Sequence, residues 1–166
     1  MELLHYGNKS IMKNLLIIFG VLVLVGCSNV EYEKSINIKA PKELVFMILE
    51  DYENYPSIIP DFHVSVKIIS ENRTGLGVQF INNSTFEGYK IESLYEITEY
   101  RFNEYIKMEN KSQYGSTEMI VEKINDNETV YTLINYLRIP NSMKNQLYSA
   151  FDNELETIKR ISENLL

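Results

Sequence analysis

The chain has 166 residues, 45% hydrophobic and 23% charged, a balance that excludes a disordered tail and fits one globular domain able to fold without disulfide or metal. Its formal charge is -7, from 16 basic and 23 acidic residues without a basic stripe, which excludes nucleic acid as a partner on electrostatic grounds. The only cysteine, Cys27, has no partner for an internal bridge.

The first element is the apolar run "LLIIFGVLVLV", Leu15 to Val25, with Lys13 and Lys9 before it and Gly26 after it. A basic start, a short apolar core and a small residue at the end form the layout of an export signal, and eleven apolar residues are too few for a comfortable membrane span. Leu24, Val25, Gly26 and Cys27 resemble a bacterial lipobox. That resemblance implies cleavage before Cys27 and lipid on its sulfur, which makes residues 1–26 a signal peptide. Residues 27–30 become the lipidated cysteine with a short tether, and the protein sits lipid-anchored on the extracytoplasmic side of the cell membrane or outer membrane. A buried or inert thiol is the alternative for Cys27. Met12, directly before Lys13, is an alternative start to Met1.

After Cys27 no linker or repeat interrupts the chain, so residues 31–166 read as one domain. Ile36 and Ile38 share a strand face, and Pro41 opens a helix with Leu44, Val45, Ile48 and Leu49 along one stripe. Pro56 and Pro60 break the chain around a second short helix. Strands follow in succession. Val64, Val66 and Ile68 alternate with His63, Ser65 and Lys67, and Ile91, Ser93, Tyr95 and Ile97 alternate with Lys90, Glu92, Leu94 and Glu96. Further strands are expected in "GVQFI", "EYIKMEN", "STEMIVEKI" and "ETVYTLINYLRI", with a plain hairpin at Gly75 and Gly77. The tail carries Met143, Leu147, Phe151, Leu155, Ile158, Ile161 and Leu165 at steps of three and four, which predicts one long amphipathic helix.

"INIKAPKELVFMILEDYENYPSIIPDF" resembles the opening of the superfamily that contains START lipid-transfer domains, polyketide cyclases, birch-pollen-allergen-like proteins and coenzyme Q-binding proteins. The Ala40–Pro41 pair, the helix centred on Val45 and "DYENYP" carry the likeness, which extends over residues 31–166; a tryptophan frequent near this point is absent. The resemblance implies an α+β helix-grip fold: a curved antiparallel sheet of about seven strands wrapped around the long C-terminal helix, with two short helices after the first strand.

Alternation and the helix stripe give the inward set for such a fold. Beside Val66, Ile68, Val78 and Ile91 it contains the expected ligand-binding residues Phe80, Ser93, Tyr95, Ile97, Met108, Leu133, Asn135, Leu137, Phe151 and Leu155. Ser93, Tyr95 and Asn135 are the polar groups among them, with Glu99 near a strand end. His63 falls on the outer face or rim, no Ser/His/Asp set assembles around it, and one histidine with an anchored cysteine makes no familiar zinc site. No catalytic residue, metal or cofactor is therefore assigned. The expected function is binding of a hydrophobic small molecule such as a lipid or quinone at a membrane. A cyclase- or dehydratase-like enzyme and an envelope protein-interaction domain are the alternatives.

Overall fold

The structure, a computed structural model, describes residues 27–60, 62–86, 88–113 and 115–166. The export signal read in residues 1–26 lies outside them, and so does any test of lipid on Cys27.

Seven strands form one antiparallel sheet: β1 (Cys27–Ile38), β2 (His63–Ile68), β3 (Gln79–Phe86), β4 (Tyr89–Arg101), β5 (Tyr105–Asn110), β6 (Gly115–Asn125) and β7 (Glu128–Pro140). Their order is β1-β7-β6-β5-β4-β3-β2. β2 to β7 are a meander, and β1 closes onto β7 from the far end of the sequence. Two short helices, α1 (Lys42–Glu50) and α2 (Tyr55–Ile58), follow β1, and the long α3 (Lys144–Asn164) ends the chain. This is the expected α+β arrangement. One boundary differs: β1 pairs with β7 from Cys27 onward, so residues 28–30 are strand instead of a free tether.

α3 lies against the inner face of the sheet because its buried residues, Leu147, Phe151, Leu155 and Ile158, recur at steps of four, four and three. Polar bonds fix it along β1. The Tyr32 hydroxyl and Lys34 Nζ both donate to Asp152 Oδ1 at 2.8 Å, Tyr148 donates to the Glu31 carbonyl at 2.6 Å, and Lys159 donates to the Asn37 carbonyl at 2.7 Å. α1 packs Val45, Phe46, Ile48 and Leu49 inward. It is held at the start of β7, where Thr129 donates to the Ala40 carbonyl at 2.7 Å in a fully buried bond. Pro41 precedes the first turn of α1, where a missing N–H costs nothing. The β2–β3 connection turns on Gly75 and Gly77, with φ of +83° and +78°, a conformation that side chains with a Cβ rarely adopt.

Leu155 has no solvent exposure and sits where α3 meets the packed core. Leu155→Ala should lower the unfolding free energy by about 2–5 kcal/mol, since methyl groups are lost and a cavity is left. Urea unfolding measures this, and a loss under about 1 kcal/mol would mean that the helix is not seated there.

Candidate functional site: a cavity under the N-terminal half of the long helix

Between α3 and the sheet lies a cavity of about 90 Å³. The sheet supplies Phe80 and Asn82 from β3, Tyr95 from β4, Met108 from β5, Thr117 and Met119 from β6, and Asn135 and Leu137 from β7. Helix α3 supplies Leu147, Phe151 and Glu154, while Tyr55 from α2, Phe62 and His63 close the remaining side. Two larger hollows, one beside Lys111, Tyr136 and Arg138 and one beside Glu50, Asn54 and Arg73, are open at the surface.

One wall is aromatic. The Tyr52, Phe80 and Tyr95 rings stack in a column with centroids 5.1 and 5.3 Å apart, and Phe62 and Tyr55 flank His63 at 4.9 and 5.5 Å. The Tyr55 hydroxyl is committed to the Leu49 carbonyl at 2.7 Å. Burial raises the pKa of the Tyr95 phenol, while hydrogen bonds from Asn110 and Ser93 work the other way. Ser93 therefore acts on the cavity through Tyr95. Thr117 Oγ1 donates to Asn135 Oδ1 at 2.6 Å across the β6–β7 pair.

Alternation along β2 puts His63 outside, yet its ring lines the cavity. A bulge between His63 and Ser65 is the reason: it inserts a residue, breaks the two-residue period and sets His63 opposite Ser84, on the face of Asn82 and Phe80. His63 Nδ1 lies 3.0 Å from Asn82 Oδ1, and burial lowers the imidazole pKa against the opposing effect of that bond. Burial thus favours the neutral ring.

Glu154 was not expected at all. It stands three residues after Phe151 and four before Ile158, so the helix period carries it onto the apolar stripe, and its carboxyl enters the cavity. Glu154 is half-buried and lines the cavity. No hydrogen bond or ion pair holds the carboxyl among the described residues, and burial raises its pKa to about 7. Tyr32, Tyr55, Tyr95 and Tyr131 all lie close enough to feel its charge.

Of the expected ligand-binding residues, Phe80, Tyr95, Met108, Asn135, Leu137 and Phe151 come together around the cavity. Ile97, Leu133 and Leu155 face inward but are fully buried in the packed core, and Ser93 lies behind Tyr95. Glu99 is at the surface, paired with Lys107 at 3.0 Å. Among the described residues no three His, Cys, Asp or Glu side chains gather as a metal site.

No family model and no curated protein matches the chain. Solved structures do. A START superfamily protein from Mycobacterium smegmatis superposes with a TM-score of 0.71 at 14% identity, covering 84% of this chain and 100% of that one. The fold is the helix grip. The Zhui aromatase/cyclase from Streptomyces sp. R1128 gives 0.66 at 17% identity, with 82% and 94% covered. The major latex-like protein 151 from Panax ginseng gives 0.64 at 14%, with 82% and 96% covered. All three share the fold.

The Glu154 pKa has a consequence for stability. Because the folded carboxyl holds its proton up to about pH 7 while a free glutamate loses it near 4.5, stability falls as pH rises through that window. Glu154→Gln removes the loss. The variant should match the parent at pH 4 and exceed it by about 2–3 kcal/mol at pH 8, a value discounted for partial solvation. Denaturant unfolding at both pH values checks this; equal stability at both would mean that the carboxyl is well hydrated.

Proposed function

We propose that this helix-grip protein is a lipid-anchored extracytoplasmic lipoprotein that binds a hydrophobic or amphiphilic small molecule in the cavity beneath α3. The observation that carries the binding reading is the cavity itself: rings and methionines around a few polar groups, the composition of small-molecule sites in general. Methionine walls such as Met108 and Met119 adapt in shape, which suits a pocket that widens around its guest.

The lipobox resemblance supports the anchor, and the strand register adds an argument from position. Cys27 faces Pro140, while Leu137 and Asn135 lie three and five residues before Pro140 on β7. At about 3.3 Å per residue, the cavity lining begins roughly 10–17 Å from the Cys27 backbone. The turns β3–β4 and β5–β6 and the start of β2 share that end of the sheet. A lipid on Cys27 would therefore bring the cavity end toward the bilayer, from which an apolar guest can enter. Binding is favoured over a cyclase-like activity because His63, Asn82, Thr117 and Asn135 are already bonded to one another, and Glu154 alone does not make a catalytic set.

Native mass spectrometry of the full chain released from membranes should show a small molecule that is lost on unfolding. Met108→Trp, which fills the cavity, should abolish it; a domain that is empty in every preparation would overturn the reading. The anchor is tested by feeding cells an alkyne-tagged fatty acid. The parent chain should take the label and Cys27→Ala should not, whereas label retained by Cys27→Ala would place the lipid elsewhere.

A further inference from the structure

Glu154 brings a carboxyl into the cavity, and no lysine or arginine among the described residues lines that cavity to neutralise it. Two other polar acceptors, Asn82 Oδ1 and Asn135 Oδ1, are already engaged by His63 and Thr117. The rest of the lining is chiefly apolar, methionines, leucines and rings; Tyr95 and Phe151 are among the rings, while the faces of Phe80 are taken by Tyr52 and Tyr95. Aromatic faces carry the negative side of the ring quadrupole, so they attract a cation and repel an anion. An isolated carboxylate under a helix is costly unless a proton or a matched positive group meets it. Field and shape thus favour the same guest.

We propose that the cavity takes a small organic ammonium group, held by the Glu154 carboxylate with the Tyr95 and Phe151 rings beside it, as the polar end of the bound amphiphile. The assignment rests on the cavity-binding reading above and names the class of its ligand. Volume agrees with a head group instead of a whole lipid. A cavity of roughly 150 Å³ holds a benzene-sized guest, so about 90 Å³ accepts around four non-hydrogen atoms before the walls move. The half-buried Phe62, His63 and Leu137 mark the side through which the rest of the molecule would extend.

Titration adds a signature. The ionisable groups around Glu154 are His63 from β2, Tyr55 from α2, Tyr95 from β4, Tyr32 from β1 and Tyr131 from β7. Burial keeps the phenols protonated and disfavours the imidazolium, so Glu154 is the group that changes charge near neutrality. Only its ionised form pairs with an ammonium group.

The test uses isopropylammonium and 2-propanol, which have the same shape, four non-hydrogen atoms each, and differ in charge. Binding to the full chain is followed through the methyl resonances of Met108 and Met119. At pH 8 the ammonium ion should bind at least tenfold tighter than the alcohol, and Glu154→Gln should erase that preference. Gln keeps the size of the side chain and removes a buried charge, and the parent protein offers a second measurement that needs no variant. Its affinity for the ammonium ion should rise roughly tenfold per pH unit below about pH 6 and level off above about pH 8, following the ionised fraction. Equal affinity for the two probes, or a flat pH profile, would overturn the ammonium assignment while leaving the cavity reading intact. A preference that survives in Glu154→Gln would overturn the role of Glu154. Failure of both probes to bind would overturn the assignment and the cavity reading together.

Discussion

The seating of α3 in the hollow of the sheet is the constraint on which the other features depend. Leu155 and Ile158 hold the C-terminal half of the helix against a filled core, where α1 inserts Val45, Phe46 and Leu49. α1 contacts α3, β6 and β7 at that end of the sheet, near Ala40 and Thr129. The N-terminal half of α3, through Leu147, Phe151 and Glu154, instead borders the hollow, which α2 closes only with Tyr55 among the described residues. The bonds from Tyr32, Lys34 and Tyr148 to α3 and its partners keep the helix along β1 there, although fewer apolar contacts are available. The cavity thus follows from uneven filling beneath one rigid helix.

That uneven filling also explains why polar groups gather at one end. In the filled half, an uncompensated polar atom would cost free energy, and the large buried residues there are mostly aliphatic or aromatic. Around the hollow, Asn82, Asn135, Thr117 and His63 satisfy one another pairwise across neighbouring strands. Glu154 is left over because the helix delivers it from the opposite side, and no hydrogen bond holds its carboxyl among the described residues. Tyr131, fully buried and within the influence of Glu154, has no hydrogen-bond partner for its hydroxyl among the described residues. The polarity under the helix is therefore only partly matched from within the domain.

Much of this was legible in the sequence, and the failures have specific causes. Seven strands, two short helices and a long helix follow from periods of two and about three and a half, and those periods survive in the structure. Alternation reports the face of a residue but not its depth along the strand. Ile97 and Leu133 therefore looked equivalent to Tyr95 and Asn135, although each lies two residues further along its strand, fully buried and outside the cavity lining. His63 was expected on the outer face or rim, and a bulge that leaves no mark in the hydrophobic pattern turns its half-buried ring to the cavity. Tyr55 and Phe62 come from a proline-interrupted segment with no period to read. Glu154 did carry a signal, its spacing from Phe151 and Ile158, but a charge in an amphipathic helix is ordinarily counted on the wet side.

The mismatch at Glu154 links stability to occupancy. In a domain stabilised by about a tenth of a kcal/mol per residue, one carboxyl that resists ionisation is a noticeable fraction of the total. An empty cavity at neutral pH holds this group between two unfavourable options, a proton taken up near its pKa or a charge with no counterion. A guest that supplies positive charge removes both. The same substitution that makes the empty protein more stable should then weaken what the cavity retains, a pattern expected where a local rule of packing is broken for binding. Uneven packing creates the space, and one helix position gives that space its sign.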